Sequence, residues 1–302
     1  MAYRFRPGDR TMQRAVRRIA REQIDGALAA VADKSRDKAI HEVRKACKKL
    51  RALLRLVRPA FPDYPYENAA FRDTARLLAF TRDAKVLLDT FDLVTAGAPD
   101  DFDGTQALYL REHFAGELAQ AAQEDAVEAR LAQVRELLTT ARERVSGWTL
   151  ADKGWDAIGP GLGKILRQAE TAYRSAMHTP DALHYHELRK RMKYHWYHAR
   201  LLVPVWPELM QPRVAELSRL ADLLGLHHDI CVFEGRLDAF VPGTRYDRPA
   251  GALRGLAADR RKQLERDIAP LAARLLAQET QVLVDHWHRL WMIWQAERGP
   301  SA

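Results

Sequence analysis

Apolar and polar residues recur along almost the whole chain with the 3.6-residue period of amphipathic helices. Runs rich in Ala, Leu, Arg, Glu and Gln are separated by short segments containing Pro, Gly or Asp. Almost nothing alternates with the two-residue period of a strand, so the pattern predicts an all-α protein. Helices are predicted at residues 9–33, 38–57, 65–80, 83–95, 104–122, 124–145, 157–178, 181–203, 208–225, 229–240, 249–267 and 269–296.

An internal repeat divides the chain. Residues 41–45 (HEVRK) recur 145 positions later as residues 186–190 (HELRK), and the match continues without gaps through Pro62 and Pro207, with nine of 22 positions identical. At an offset of 146, Leu77-Leu78 and Arg82-Asp83 align with Leu223-Leu224 and His228-Asp229. A repeat of this length predicts two similar helical halves, approximately residues 5–146 and 155–297.

The repeated helix has two contrasting faces at ~100° per residue. The apolar face of the first copy holds Val43, Ala46, Cys47, Leu50, Leu53, Leu54 and Val57. The opposite face, which we call the first basic stripe, carries His41, Arg44, Lys45, Lys48 and Arg55. The second basic stripe carries His186, Arg189, Lys190, Lys193 and Arg200, with Tyr197 in line. In this second copy Arg191, His195 and His198 interrupt the apolar face.

The basic stripes favour an anionic ligand over a merely solvated surface. An ordinary exposed helix face mixes charges of both signs, and stacked like charges cost a few tenths of a kcal/mol per pair. Each stripe holds one acid, Glu42 or Glu187, and nothing negative after it. Further basic residues at helical spacing or near the repeat are weaker candidates: Arg14, Arg17, Arg18, Arg21, Arg82, Lys164, Arg167 and Arg174.

Composition agrees with an anionic partner but does not identify it. The chain has 48 Lys and Arg against 40 Asp and Glu, a net charge of +8 and a pI near 9.6. Cys47 and Cys231 form no paired-cysteine motif, the Arg-rich start lacks the apolar stretch of a signal peptide, and no run reaches ~18 apolar residues. We therefore expect a cytoplasmic protein without a membrane span.

The twin segments 41–45 and 186–190, each followed by the leucine pair and the Arg-Asp or His-Asp pair, resemble the CHAD family of histidine-containing α-helical domains that bind polyphosphate. The resemblance extends over roughly residues 5–297. It implies a single domain over residues 1–302. Two bundle-like halves, each of about four main helices, would be related by a pseudo-two-fold axis around a basic central channel.

The same resemblance implies the ligand and its contacts. Inorganic polyphosphate would bind without catalysis, cofactor or metal, and the protein would associate with storage granules. Its contacts would be His41, Arg44, Lys45, Lys48, Arg51, Arg55, His186, Arg189, Lys190, Lys193 and Arg200. Trp196 and Tyr197 depart from the family's frequent Arg-Tyr, and Arg51 has no basic counterpart at Trp196, so one wall of the channel is expected to carry less charge.

Two other functions fit parts of the sequence. His227-His228-Asp229 resembles part of the metal-binding pattern of HD-type phosphohydrolases, but the first half has Arg82 where the second has His228, and arginine is not a metal ligand. Asp83 and Asp229 are interpreted as anions at helix N-termini or as internal partners of the stripe arginines. A nucleic-acid-binding helical protein fits the charge, although no recognised nucleic-acid motif is present.

Overall fold

The computed structural model describes residues 3–96, 98, 102, 104–121, 124–240 and 247–297, with only the backbone described at residues 80–83, 105–106, 121, 124–125 and 247. Within these residues there are helices and no strands, which confirms the predicted all-α class. The long helices are α1 (Met12–Asp33), α2 (Arg36–Leu56), α3 (Tyr64–Arg76), α4 (Ala79–Thr95), α5 (Gly104–Ala121), α6 (Glu124–Arg144), α7 (Gly159–His178), α8 (Ala182–Leu202), α9 (Pro207–Leu237), α10 (Asp247–Leu275) and α11 (Thr280–Ala296).

The helices pack in two sets that meet at the repeated helices. In the first set α2 lies between α1 and α3, and in the second α8 lies between α7 and α9. The sets join where α2 contacts α7 and α8, and where α4 contacts α9 and α10. Buried apolar residues from both sets form one continuous core. The relation of the halves by a pseudo-two-fold axis stays a prediction.

Burial confirms the predicted apolar face of α2. Val43, Cys47, Leu50, Leu53, Leu54 and Val57 are fully buried, and Ala46 is 6% exposed. None of the helices in the described part of the chain is long and apolar enough to cross a membrane.

Two predicted helix boundaries are wrong. Residues 208–225 and 229–240 were expected as separate helices, yet α9 runs unbroken through Gly225 to Leu237. Leu224, His227, Ile230 and Phe233 are all buried at helical spacing, and their packing outweighs the ~1 kcal/mol that one glycine costs a helix. Asp229 therefore lies inside a helix, which excludes its interpretation as an N-terminal anion.

The second wrong boundary lies near residue 268. The helix α10 continues through Pro270 to Leu275, because Ile268, Leu271 and Ala272 keep the buried face continuous past the missing proline N–H. Most other predicted helix ends agree within a few residues.

Two histidines of α8 are buried in the core. The Nε2 atom of His198 lies 2.9 Å from the backbone oxygen of Ala52 in α2, and the His195 ring stacks on Trp287 of α11. Burial lowers the pKa of His198 to about 4 and holds the pKa of His195 well below its usual range. Both rings are therefore neutral at pH 7, which explains how they are accommodated in the apolar face.

Helix α7 approaches the end of α2 so closely that only glycine fits. A Cβ atom at Gly161 would lie 1.8 Å from the backbone oxygen of Leu56, whereas nothing lies within 4 Å of a Cβ at Gly225. We predict that Gly161→Ala lowers the free energy of unfolding by about 1–3 kcal/mol through overpacking. Gly225→Ala, inside α9, should instead raise it by up to ~1 kcal/mol. Urea denaturation of both variants measures the difference; equal effects would contradict the close approach.

The buried histidines predict loss of stability in mild acid. These histidines bind protons near pH ~6.5 in the unfolded chain but only at lower pH in the folded chain. Stability that is present above pH ~6.5 is therefore lost as pH falls towards the folded pKa values. For His198 this amounts to on the order of 2 kcal/mol at pH ~5. The variant His198→Leu, which copies Leu53 of the first half, should show a shallower fall of Tm between pH 7 and pH 5.

The control for that measurement is His286→Leu, an exposed position on α11. It should keep the wild-type slope of Tm against pH. If His198→Leu also keeps the wild-type slope of Tm against pH, protonation of His198 does not contribute to the loss of stability in acid.

Candidate functional site

The two repeated helices cross and touch through their carboxyl-terminal halves. The contact between His198 and the Ala52 carbonyl lies at this crossing, and the guanidinium carbon of Arg55 in α2 sits 4.2 Å from the centre of the Tyr194 ring in α8. The carboxyl-terminal ends of the two stripes therefore lie close to this crossing, while His41 and Lys48 of the first stripe are exposed.

Equivalent positions of the repeat make reciprocal contacts across this crossing. Arg55 corresponds to Arg200, and Lys49 corresponds to Tyr194. On one side Arg55 stacks on Tyr194; on the other, burial and then the charge of Arg200 lower the pKa of Lys49 to about 8. Lys49 is not among the residues predicted for the stripe because it lies about 80° from His41 on the helix, at the edge of the stripe.

The first basic stripe lies along α2 from the exposed His41 to the half-buried Arg55. Lys45 pairs with Glu42 at 2.5 Å, and Arg44 donates to the backbone oxygen of Ala75 at 3.1 Å. Lys48 of this stripe is exposed, and Arg51, which the resemblance adds to the contacts, is half-buried. Arg51 and Arg55 both donate to the side-chain oxygen of Asn68, at 3.3 and 2.6 Å.

The second basic stripe repeats one of these contacts and changes another. Lys190 pairs with Glu187 at 2.5 Å, as Lys45 does with Glu42. The Nδ1 atoms of His186 and His228 lie 3.3 Å apart. Burial, followed by the charges of Lys190 and Arg189, lowers the pKa of His186, and burial with Arg189 and His186 lowers the pKa of His228 to about 4.

Asp229 lies in the field of the second stripe. Burial lowers the pKa of Arg189, and the charge of Asp229 opposes that shift. This supports the interpretation of Asp229 as an internal partner of a stripe arginine. The side chains of its counterpart Asp83 and of the weaker candidate Arg82 lie outside the described residues.

Trp196 is uncharged, but two cations lie near its ring. The Lys193 Nζ atom lies 5.8 Å from the centre of the indole, and the guanidinium carbon of Arg200 lies 4.9 Å from it. An aromatic face attracts cations. Trp196 therefore gathers two cations at the position where Arg51 stands in the first copy.

The weaker candidates divide into internal contacts and exposed charges. Arg17 donates to the backbone oxygen of Trp148 at 2.7 Å, and Arg18 pairs with Asp9 and Glu22. Tyr197 is 3% exposed and packs edge-on against Tyr3. The side chains that face solvent are Arg14, Arg21, Lys164, Arg167 and Arg174.

A small basic pocket opens at one end of the crossing, where α2 and its following turn meet α3, α7 and α8. Its volume is about 70 Å³. It is lined by Arg55, Arg58, Tyr64, Gly161, Lys164, Ile165, Gln168 and Arg191. Only Arg55 and Lys164 were candidates from sequence. Arg58 follows the stripe beyond the helix end, and in the sequence pattern Arg191 interrupts the apolar face of the second copy.

The His227-His228-Asp229 segment does not gather its histidines at one point. His227 is buried, stacks on Tyr185 and lies 3.1 Å from Glu265, while His228 lies against His186. Among the residues that the structure describes, no three His, Cys, Asp or Glu side chains form a group suited to a metal ion.

Comparison with known proteins agrees with this architecture. The crystal structure of the CHAD domain from the plant Ricinus communis is 17% identical, with a TM-score of 0.58 over 93% of this chain and 98% of that one, and at this identity the likeness shows the fold. No curated protein matches the chain. The family model of the CHAD domain matches residues 15–238, more than two thirds of the sequence. The chain therefore belongs to the CHAD domain family.

Proposed function

We propose that this protein binds inorganic polyphosphate, without catalysis, at the crossing of its two basic stripes. The observation that carries the proposal is the approach of two cationic helices to each other. Burial and then the charge of Arg200 across the crossing lower the pKa of Lys49, and Arg55 lines a pocket with cations of α7 and α8. Like charges held this close gain most from an anion of high charge density.

The residue types match condensed phosphate. Arginine offers paired hydrogen bonds to phosphate oxygens, and lysine offers a compact charge. Polyphosphate presents a charge on every repeating unit, and its binding releases counterions as nucleic-acid binding does. The pocket of about 70 Å³ among these cations has room for a phosphate group.

The proposal extends to a place in the cell. A binder of polyphosphate collects where the polymer is stored, so we infer a cytoplasmic protein associated with polyphosphate granules. The family assignment and the absence of a spanning helix in the described residues are compatible with this location.

Binding should weaken steeply with salt and depend on both stripes. Long-chain polyphosphate should lose at least ~100-fold in affinity between about 50 and 200 mM salt. Replacing Arg44, Lys45, Arg189 and Lys190 with Ala should lower the affinity by at least ~100-fold and make the salt dependence shallower, since each lost phosphate contact lowers its slope by ~1. Titration by isothermal calorimetry, with a thermal unfolding check of each variant, measures this.

A matched control removes the same charge elsewhere. Lys153, Arg260, Lys262 and Arg289 are exposed, and their joint replacement with Ala should keep most of the affinity. If the stripe variant folds and binds as the wild type does, the site assignment is wrong. Duplex DNA serves as competitor: it should displace polyphosphate poorly, and efficient displacement would favour the nucleic-acid function.

Affinity should rise as pH falls from about 8 to about 6. His186 is disfavoured as a cation in the free protein by burial, Lys190 and Arg189, and a bound polyanion would raise its pKa, so binding takes up a proton. Lys49, with a pKa of about 8, adds to the rise at the upper end. His41→Gln with His186→Gln should flatten the lower part of the profile, and Lys49→Arg should flatten the upper part. An affinity independent of pH in the wild type would contradict both roles.

A further inference from the structure

Three of the four cations that line the basic pocket have no acidic partner among the described residues. None of the ion pairs among the described residues involves Arg55, Arg58 or Lys164. The fourth cation, Arg191, pairs at 3.1 Å with Glu187, which also pairs with Lys190. Among the described residues, a carboxylate therefore balances the positive charge of the pocket only at Arg191.

Burial disfavours the charged form of one of these cations, Arg55. Desolvation, reinforced by the charges of Arg51 and Arg191, lowers the pKa of Arg55, and interactions with Tyr194 and Tyr64 offset this in part. A guanidinium in such surroundings is stabilised by any anion that reaches it. Arg58 stacks on Tyr64 at 4.7 Å, which fixes its orientation at the pocket wall.

Size limits what the pocket admits. Its volume of about 70 Å³ is that of a few water molecules at ~30 Å³ each, which suits one tetrahedral oxyanion. Gln168 and Tyr64 add an amide and a phenol to the lining. A dianionic terminal phosphate matches a site of four cations better than a singly charged unit from the middle of a chain.

The equivalent end of the crossing is filled by the N-terminal segment. Tyr3 is 4% exposed and packs against Tyr197, with Lys49 and Arg200 over its ring at 5.6 and 5.9 Å. In addition, the Phe5 N–H donates to the backbone oxygen of Leu201, which is the counterpart of Leu56 in the repeat. At this end the chain itself occupies the space that corresponds to the basic pocket.

The open pocket continues into a groove between α7 and α8. The groove shares Lys164, Gln168 and Arg191 with the pocket and extends past Arg167 to His184, with a volume of about 390 Å³. A phosphate chain whose end lies in the pocket thus has a partly basic route outward.

We propose that the pocket lined by Arg55, Arg58, Lys164 and Arg191 holds the terminal phosphate of a linear polyphosphate, so that the protein captures chain ends. This rests on the proposed function and adds a preference within it. Cyclic polyphosphates have no terminal phosphate and lack the group that the pocket accepts. Single orthophosphate should occupy the same pocket at higher concentration.

The test compares linear with cyclic phosphates of similar charge. Labelled long-chain polyphosphate is displaced from the intact protein by linear tripolyphosphate, by cyclic tetrametaphosphate and by orthophosphate. Linear tripolyphosphate should compete at least ~10-fold better than the ring, a preference of ~1.4 kcal/mol. In Arg58→Ala this preference should shrink towards unity, and Arg289→Ala, which removes an exposed arginine on α11, should retain it.

The outcomes separate the two proposals. If long-chain polyphosphate does not bind at all, the proposed function fails. If it binds in a salt-dependent manner but the ring competes as well as the linear chain, end capture alone is overturned. A linear preference that survives in a folded Arg58→Ala variant also overturns it. Arg58 is exposed and outside the core, so the variant should unfold at the wild-type temperature.

Discussion

The direct contact between two helices of like charge is the constraint on which the rest of the structure depends. The stripes of α2 and α8 would separate if electrostatics alone decided, yet His198 meets Ala52 and Arg55 meets Tyr194 across the crossing. The far faces of both helices supply the opposing energy, because each buries a row of apolar side chains worth roughly 1.5–3 kcal/mol apiece. Core packing thus holds the cations of the two helices closer together than their mutual repulsion favours.

Neutral and aromatic groups make this arrangement tolerable without balancing its charge. Tyr194, Trp196 and Tyr3 lie against guanidinium or ammonium groups, and such contacts give each cation about 0.5–2 kcal/mol while leaving its charge in place. Glu42 pairs with Lys45, and Glu187 pairs with Lys190 and Arg191, in part-exposed pairs of the kind that contribute little. Positive potential therefore persists at the crossing and remains available to an anion.

Sequence alone predicted the helical class, most helix boundaries and the residues of both stripes, because periodicity and a repeated motif are local properties. It could not predict which ends of the crossing are open. The role of Arg191 depends on Gln168 of a neighbouring helix, and that of Tyr3 on Lys49 and Arg200, contacts that no spacing along the chain encodes. The continuity of α9 through Gly225 was missed for a related reason, since tertiary burial outweighed a local signal.

The differences between the two copies are best understood as consequences of the crossing. Were the copies identical, Lys49 would face an arginine and so would its counterpart, but Tyr194 replaces that second lysine and turns a repulsion into a stacking contact. Ala52 and Tyr197 stand at equivalent positions and are both buried, one small and one large. With Tyr3 added on one side, the junction is closed there and leaves a basic pocket on the other. Divergence after duplication therefore gives the crossing two unlike ends, which a symmetric pair of helices would not have.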